Sequence, residues 1–210
     1  MAGRPRSYAT EDVVRAARDV FWERGYEATS LVDLEERTGL GRSSIYQVFG
    51  SKRGLFFAAL RSYLREIAEP RLAPLEGRNA RLSDVAAYLD GLSDSLLTGR
   101  MQAVGGCFMV NTITELGPRD ADARQIGMQY RDQMKGALAK ALRAAEARGE
   151  IDAGTAEARA RLLAATVIGV MVAARLDPLE AADLARVASR EVTGWGKSGG
   201  RGERGRAAAS

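Results

Sequence analysis

The spacing of the prolines is the feature that most restricts the fold of this chain. Five prolines lie at positions 5, 70, 74, 118 and 178. Each is expected to interrupt a helix, because proline has no amide hydrogen and its ring clashes with the preceding turn. The long stretches between them are rich in Ala, Leu, Arg and Glu, which favour helices, and contain few runs of alternating β-branched residues. The sequence therefore predicts an all-α protein.

Apolar periodicity, capping residues and glycines indicate where the helices begin and end. Thr10 is the expected N-cap of the first helix, and Gly25 is its expected end. Ser30 and Asp33 resemble a capping box at the start of the second helix. The predicted helices span residues 10–24, 30–38, 42–49, 52–68, 83–97, 105–116, 120–148, 155–176 and 179–195.

The segment from Thr38 to Lys52 combines a glycine-bearing turn with a short helix whose polar groups face outward. Ile45 and Phe49 are four residues apart, so they share one helical face and can anchor the helix to a core. No acidic residue lies between Glu36 and Glu66, although the net charge of the whole chain is only +4. Positive charge is therefore concentrated around this helix, which is typical of a nucleic-acid-binding surface.

These residues fit a helix-turn-helix motif, whose second helix enters the major groove while the flanking helix ends hold phosphates. Arg42 suits the edge of guanine and Gln47 the edge of adenine, because each can form two hydrogen bonds with that base. Lys52, at the start of the next helix, can bind a phosphate together with exposed backbone donors. Three hydroxyl side chains can reach phosphates or base edges: Ser43, Ser44 and Tyr46.

The composition argues against an enzyme, a metal site and a membrane protein. Histidine is absent and Cys107 is the single cysteine, which excludes histidine-based catalysis and an intrachain disulfide. No phosphate-binding loop of the Walker type is present, and neither a cofactor nor a metal is expected. No apolar run approaches the roughly 18 residues that span a bilayer, and the N-terminus lacks the apolar region of a secretory signal. A cytoplasmic protein is expected.

Two segments, Phe21–Ser30 and Tyr46–Lys52, resemble the N-terminal domain of the TetR family of bacterial transcriptional regulators. The shared pattern is a glycine-aromatic pair, a threonine, a turn glycine, a tyrosine in the third helix, an aromatic three residues later and a lysine after the break. The resemblance covers residues 8 to 57 and departs from the family at Gly41, where many relatives have a polar residue. It implies that Thr29, Ser30, Tyr46 and Lys52 contact phosphates and that Arg42, Ser43, Ser44 and Gln47 face the bases.

The resemblance implies an N-terminal three-helix helix-turn-helix domain followed by a helical ligand-binding and dimerisation domain. The expected parts are a flexible basic arm at 1–9, a DNA-binding domain at 10–57, a regulatory and dimerisation domain at 58–196 and a disordered tail at 197–210. The arm contains Gly3-Arg4-Pro5-Arg6, which resembles minor-groove arms in which arginine inserts beside proline. A solvated N-terminus without a DNA contact is the alternative.

The regulatory domain of this family usually binds a small apolar ligand. Residues that could line such a pocket are Leu89, Leu96, Phe108, Met109, Asn111, Thr112, Glu115, Met128, Tyr130 and Met134. The alternative is that these apolar residues belong to the core, which is the commoner place for Met and aromatic residues at helical spacing. Asn111 and Glu115 are four residues apart and can either orient a ligand or bond to neighbouring backbone groups.

The last two helices are expected to form a dimer face, with an intramolecular core as the alternative. The residues concerned are Val167, Ile168, Val170, Met171, Val172, Leu176, Leu184, Val187, Ala188 and Val192. Cys107 lies in the expected first turn of a helix, where its thiolate would be favoured, so it can be either an oxidant and electrophile sensor or a buried core residue.

The expected function is a homodimeric repressor that binds a pseudo-palindromic operator in double-stranded DNA and is released by a small-molecule effector. Activation in place of repression is an alternative within the family. A second alternative is a DNA-binding regulator without a small-molecule effector, controlled by a protein partner or by oxidation of Cys107. The effector, the operator and the regulated genes are left open by the sequence.

Overall fold

The computed structural model describes residues 6–98 and 106–196. Within these residues the chain forms helices and no strand, which confirms the all-α prediction. The α-helices are α1 Arg6–Arg24, α2 Leu31–Thr38, α3 Arg42–Phe49, α4 Lys52–Tyr63, α5 Glu69–Leu72, α6 Leu82–Leu97, α7 Phe108–Leu116, α8 Ala121–Ala147, α9 Ala156–Ala173 and α10 Pro178–Gly194. A π-helical turn at Leu64–Ala68 joins α4 to α5, and a 3-10 helix at Ala73–Glu76 follows. None of the helices described is both long and apolar enough to cross a membrane.

The first helix begins earlier than predicted. α1 starts at Arg6, so Thr10 lies inside the helix and is not its N-cap. Because the helix already runs through positions 6 to 9, no cap is needed at Thr10. The predicted flexible arm is thus helical from residue 6 onward. Its residues 1–5 and the predicted tail at 197–210 lie outside the described residues.

The helical path also continues past Pro70, where the sequence predicts its end. The N–H of Glu69 bonds to the carbonyl of Leu64, five residues back, so this turn is wider than an α-helical one. Pro70, which has no amide hydrogen to donate, lies directly after it in the first turn of α5. The chain from α4 to the 3-10 helix is therefore one bent helical segment that belongs to both halves of the molecule.

The N-terminal helices pack with α4 around an apolar core. Ile45 of α3 and Leu34 of α2 are fully buried, and Phe21 of α1 meets Phe56 of α4 edge-on with ring centroids 5.1 Å apart. Phe49 is partly buried against the same core. The α3 helix is thus anchored through the face that the sequence predicts, and its opposite face remains exposed.

The remaining helices form a bundle in which α6 lies along α10 and α8 lies along α9. One face of α6 is buried, with Val85, Leu89 and Leu92 on it, and buried alanines such as Ala182 and Ala185 let α10 approach it closely. The Ser189 hydroxyl of α10 donates to the Ala86 carbonyl of α6 over 3.2 Å, so a polar contact fixes this pair as well. The bundle and the N-terminal domain share one continuous core.

Two glycines, Gly39 and Gly136, allow the effect of backbone strain to be measured without an effect of side-chain packing. Gly39 ends α2 with φ of +69°, Gly136 lies within α8, and a Cβ added at either position would meet no atom within 4 Å. We expect Gly39→Ala to lower the free energy of unfolding by about 1 to 2 kcal/mol, the cost of a left-handed residue with a Cβ. Gly136→Ala should raise it by about 0.5 to 1 kcal/mol through helix propensity. Urea denaturation at one protein concentration tests both, and equal effects would contradict the assignment of strain to Gly39.

Candidate nucleic-acid interface and regulatory cavity

The outer face of α3 is exposed along its length. Arg42, Ser43 and Gln47 are exposed, and Tyr46 retains 43% of its accessible surface. Ser44 is half-buried. Beneath them Ile45 is fully buried, so the polar face is held outward by the packing of the apolar one. The structure thus brings the predicted base-facing residues together on one surface.

The N-terminus of α3 is capped in a way that the sequence does not reveal. Gly41 occupies the N-cap position and has no side chain to bond the first-turn amides. The carboxylate of Glu35, from α2, instead accepts a hydrogen bond from the N–H of Arg42. The Glu35 carboxylate therefore takes the place of an N-cap side chain, which Gly41 lacks.

The start of α2 carries the predicted capping box. The Ser30 hydroxyl accepts from the N–H of Asp33 over 3.1 Å, and the Asp33 carboxylate accepts from the Ser30 N–H over 2.7 Å. The hydrogen bonds from the Ser30 hydroxyl and amide, together with Arg24, lower the pKa of Asp33. Ser30 itself is exposed. Its hydroxyl also donates to the Asp33 carboxylate over 2.7 Å, and a phosphate contact by Ser30 stays a prediction, which rests on its exposed place at a helix N-terminus.

Thr29 requires a correction. Its side chain is only 1% exposed, and its hydroxyl donates to the carbonyl of Gly25 over 2.6 Å. A buried hydroxyl already bonded to the backbone does not reach a phosphate. Thr29 therefore closes the turn between α1 and α2.

Lys52 lies in the first turn of α4, where its ammonium sits 4.4 Å from the centroid of the Tyr26 ring. Attraction between a cation and the face of an aromatic ring holds the side chain over the turn between α1 and α2. Its neighbour Arg53 is directed differently, since it pairs with Asp120 at 2.9 Å and with Asp122 at 2.8 Å. Of these two cations, only Arg53 forms an ion pair within the part of the chain that the structure describes.

The regulatory half reaches the N-terminal domain through α7. The indole N–H of Trp22 in α1 donates to the carbonyl of Gly106 over 2.9 Å, just before α7 begins. At the other end of α7 the carboxylate of Glu115 accepts from the backbone N–H groups of Tyr26 at 3.0 Å and Glu27 at 2.8 Å. This corrects the prediction that Glu115 binds a ligand, because both its oxygens are occupied by the turn between α1 and α2.

A cavity lies inside the regulatory half where the π-helical turn meets α6, α8 and α9. Its lining combines apolar side chains, three tyrosines, one cation and the thiol: Tyr63, Ala68, Arg71, Tyr88, Leu92, Cys107, Tyr130, Val167 and Met171. About 10 Å³ of space is left in it, which suffices for about one water molecule. An open groove of about 200 Å³ between α5 and α6 adjoins it through Arg71, Tyr88 and Leu92.

The polar groups of the cavity are hydrogen-bond donors at neutral pH. The Tyr63 hydroxyl donates to the sulfur of Cys107 over 3.0 Å, and burial raises the pKa of Tyr63 and Tyr130 well above the ordinary value. Cys107 is 3% exposed. Arg71 is the one charged side chain among the described residues of the lining. The cavity therefore offers a positive charge and phenolic donors within apolar walls.

The predicted ligand-binding residues are largely placed elsewhere. Tyr130 lines the cavity, whereas most of the others belong to the core: Leu89, Leu96, Phe108, Met109, Thr112 and Met134. Asn111 is also buried, and once its side-chain amide is turned to the orientation that its neighbours require, the amide oxygen accepts from Arg175 over 2.9 Å and the amide nitrogen donates to the Cys107 carbonyl over 3.3 Å. Met128 is 51% exposed in a separate open groove. Helical spacing alone does not separate cavity from core, which is why Tyr63, Arg71 and Tyr88 are missed by the sequence.

Comparison with known proteins agrees with this architecture. Residues 13–59 match the family model of bacterial regulatory proteins of the tetR family, and residues 82–189 match that of the tetracyclin repressor-like C-terminal domain. The chain belongs to the TetR family. It is 34% identical over 151 residues to the HTH-type transcriptional repressor ComR of Escherichia coli (strain K12), covering 71% of this chain and 70% of ComR.

Solved structures of TetR regulators share the fold. One is a cysteine mutant of the TetR family regulator CifR, complexed with 26 bp double-strand operator DNA. Its TM-score is 0.75 and its sequence identity is 30%, and the match covers 92% of this chain and 100% of the CifR chain. A TetR regulator from Chloroflexus aurantiacus J-10-FL has a TM-score of 0.77 and 28% identity, covering 90% and 94%. The chain is accordingly a transcriptional regulator with the TetR helix-turn-helix domain.

The last two helices of this TetR regulator and the turn between them carry exposed apolar side chains, which are called the exposed apolar stripe: Leu162, Val172, Leu176, Leu184 and Val187. Four of these were predicted for a dimer face, and Leu162 is added by the structure. Half of the predicted dimer residues are instead buried in the chain's own core: Val167, Val170, Met171, Ala188 and Val192. On α9 the exposed Leu162 and Val172 lie on the side opposite to the buried Val167 and Met171. Because the sequence of this segment is apolar throughout, it does not separate the two sets.

The contact of Trp22 with α7 is testable through stability. Trp22 is 2% exposed, so Trp22→Phe leaves the buried Gly106 carbonyl without its indole donor. We expect the free energy of unfolding to fall by about 1 to 3 kcal/mol, the cost of an unsatisfied buried polar group. Trp195→Phe is the matched control, because Trp195 is half-buried at the end of α10 and stacks on Arg159. Equal losses in denaturation would contradict a specific role for the Trp22 hydrogen bond.

Proposed function

We propose that this TetR regulator is a homodimeric repressor that binds a pseudo-palindromic operator and is released by a small-molecule effector. The proposal rests on the exposed, acid-free outer face of α3, held outward by buried Ile45 and capped through Glu35. The repressor ComR and the operator complex of CifR support it by similarity. A regulator of this kind needs no catalytic group.

The residue roles follow from placement. Arg42 and Gln47 would read guanine and adenine edges, with Ser43 and Ser44 beside them at the exposed face. Backbone positioning would come from three groups around this helix: Ser30 at the start of α2, Tyr46 on α3 and Lys52 at the start of α4. Base reading is therefore assigned to α3 alone, whereas backbone positioning is shared by Tyr46 of α3 and by the starts of α2 and α4.

Dimerisation would bury the exposed apolar stripe of α9 and α10. Leu176 retains 89% of its accessible surface and Leu162 retains 61%, which is unfavourable in water for a continuous apolar face. A two-fold axis through this face would place two α3 helices on one side of the DNA, one helical turn or a multiple apart. The operator would then contain two inverted half-sites.

The effector would enter through the groove between α5 and α6 and occupy the cavity behind it. Because the cavity has room for about one water, the effector must displace Arg71 or the tyrosines to bind. It must also prefer the conformation that does not bind DNA, since equal affinity for both conformations would shift nothing. Movement of Tyr63 would be transmitted along α4, on which Lys52 also lies.

Binding of phosphate by Lys52 is testable on DNA fragments that the purified protein selects from a random library. We expect Lys52→Gln to weaken binding to all selected sequences alike and to reduce the slope of log affinity against log salt. Each lost phosphate contact lowers that slope by about 1, so a dimer should lose about 2. The control is Lys135→Gln on α8, far from α3 in the chain. An unchanged slope would remove Lys52 from the interface, and selected fragments without inverted half-sites would contradict the dimer.

The alternative of control by Cys107 has one specific observation in its favour, the hydrogen bond from the Tyr63 hydroxyl to the sulfur. We nevertheless expect peroxide to leave operator binding unchanged, because the thiol is 3% exposed and enclosed by the cavity. Titrating operator binding against peroxide for the wild type and for Cys107→Ser decides between the two. Release of the wild type but not of the variant would establish the oxidation mechanism in place of the small-molecule one.

A further inference from the structure

The turn between α1 and α2 receives a carboxylate from the regulatory half. Both oxygens of Glu115 accept backbone hydrogen bonds, one from Tyr26 at 3.0 Å and one from Glu27 at 2.8 Å. Glu115 is 89 and 88 residues away from these partners along the chain. Two successive N–H groups that converge on one anion form a backbone nest, a geometry that fixes the anion and the turn relative to each other.

The turn is shaped for this contact. Gly25 has φ of +83°, which directs the next two N–H groups to the same side, and a Cβ on it would lie 2.8 Å from Oε2 of Glu115. A glycine is therefore required here both by the backbone conformation and by the closeness of the carboxylate. The C-terminal end of α1 is the negative end of its dipole, so a carboxylate would be disfavoured there without these two donors.

Glu115 is linked to the DNA side of the domain by the residue that it holds. The Tyr26 ring packs edge-on against Phe56, with centroids 4.9 Å apart, and its face carries the Lys52 ammonium at 4.4 Å. The backbone of Tyr26 is thus fixed by Glu115 while its ring fixes Lys52. Arg53, which follows Lys52, forms an ion pair with Asp120, and Asp120 lies only a few positions after Glu115 in the chain.

We propose that Glu115 is a positioning residue for operator binding, which acts from the regulatory half by fixing Tyr26 and through it Lys52. The inference rests on the proposed function, since it requires Lys52 to bind a phosphate. It also assigns a task to α7, which has Cys107 of the cavity before its first turn and Glu115 in its last turn, about 12 Å along the axis. A displacement of α7 at the cavity end carries the carboxylate with it.

The two possible effects of replacing Glu115, loss of a negative charge and loss of a positioning contact, predict opposite changes in operator affinity. Removing a negative charge near a phosphate-binding surface should strengthen operator binding, whereas loss of the Glu115 contact should weaken it. We expect Glu115→Ala to lower operator affinity about tenfold, within the range of coupling between packed sites. Glu115→Gln, which keeps one acceptor oxygen, should fall between it and the wild type. The control is Glu27→Gln, which removes the same charge beside the turn but keeps the backbone N–H.

The experiment uses the full chain on DNA selected by the wild-type protein, with anisotropy as the measure of affinity. A double-mutant cycle combines Glu115→Ala with Lys52→Gln: if Glu115 acts through Lys52, the double variant binds about as weakly as Lys52→Gln alone, and the losses do not add. Hydrogen exchange should show faster exchange at the amides of Tyr26 and Glu27 in the Glu115 variants, with the circular dichroism spectrum unchanged.

Three results would overturn the inference: wild-type affinity in Glu115→Ala, additive losses in the cycle, or the same effect from Glu27→Gln. If Glu115→Ala fails to fold, the same three comparisons are made with Glu115→Gln, whose side chain has nearly the same volume. A wild-type protein that selects no DNA would instead refute the proposed function. The two failures are therefore distinguishable.

Discussion

The packing of α1 and α4 against α7 is the contact on which the rest of the structure depends. Trp22 meets Tyr63 edge-on at 5.0 Å between centroids and stacks on Phe108 at 6.3 Å, while Phe56 meets Phe108 at 5.8 Å. Aromatic side chains contribute the largest buried areas in a core, and their edge-to-face contacts fix relative orientation. The DNA-binding domain is therefore not an independent module on a linker but one side of a shared core.

Hydrogen bonds surround this junction and fix how the helices are oriented relative to one another. The Trp22 indole bonds to Gly106, the Tyr63 hydroxyl to Cys107 and the Glu115 carboxylate to the turn after α1. An apolar core tolerates sliding, but buried or converging hydrogen bonds are costly to leave unmade and so select one arrangement. The cavity and the DNA-facing turn lie at opposite ends of α7, and α4 runs past both. A change at the cavity thus has two rigid elements through which to reach the helix-turn-helix.

The N-terminal domain was predictable to the level of single residues because its signals are local. Ser30 and Asp33 cap α2 across three positions, Gly39 ends it, and Ile45 and Phe49 share a face within two turns of α3. Hydrogen bonds and apolar periodicity that span only three or four residues can be predicted from neighbouring sequence positions. The exceptions are the start of α1, which lies before Thr10, the hydroxyl of Thr29, which turns inward, and Glu35, which caps a different helix from its own. The last two depend on a contact across a turn.

The sequence by itself determined the all-α fold, the helix-turn-helix and the residues that face outward on α3, because each follows from spacing along a few turns of one helix. Only the tertiary structure decided which apolar residues of α9 and α10 are core and which form the exposed stripe. It alone assigned the cavity to Tyr63, Arg71 and Tyr88, and it moved Glu115 from a ligand site to the turn after α1. These assignments join positions tens of residues apart. Such contacts arise from the relative placement of whole helices, which cannot be predicted from the apolar periodicity of one helix.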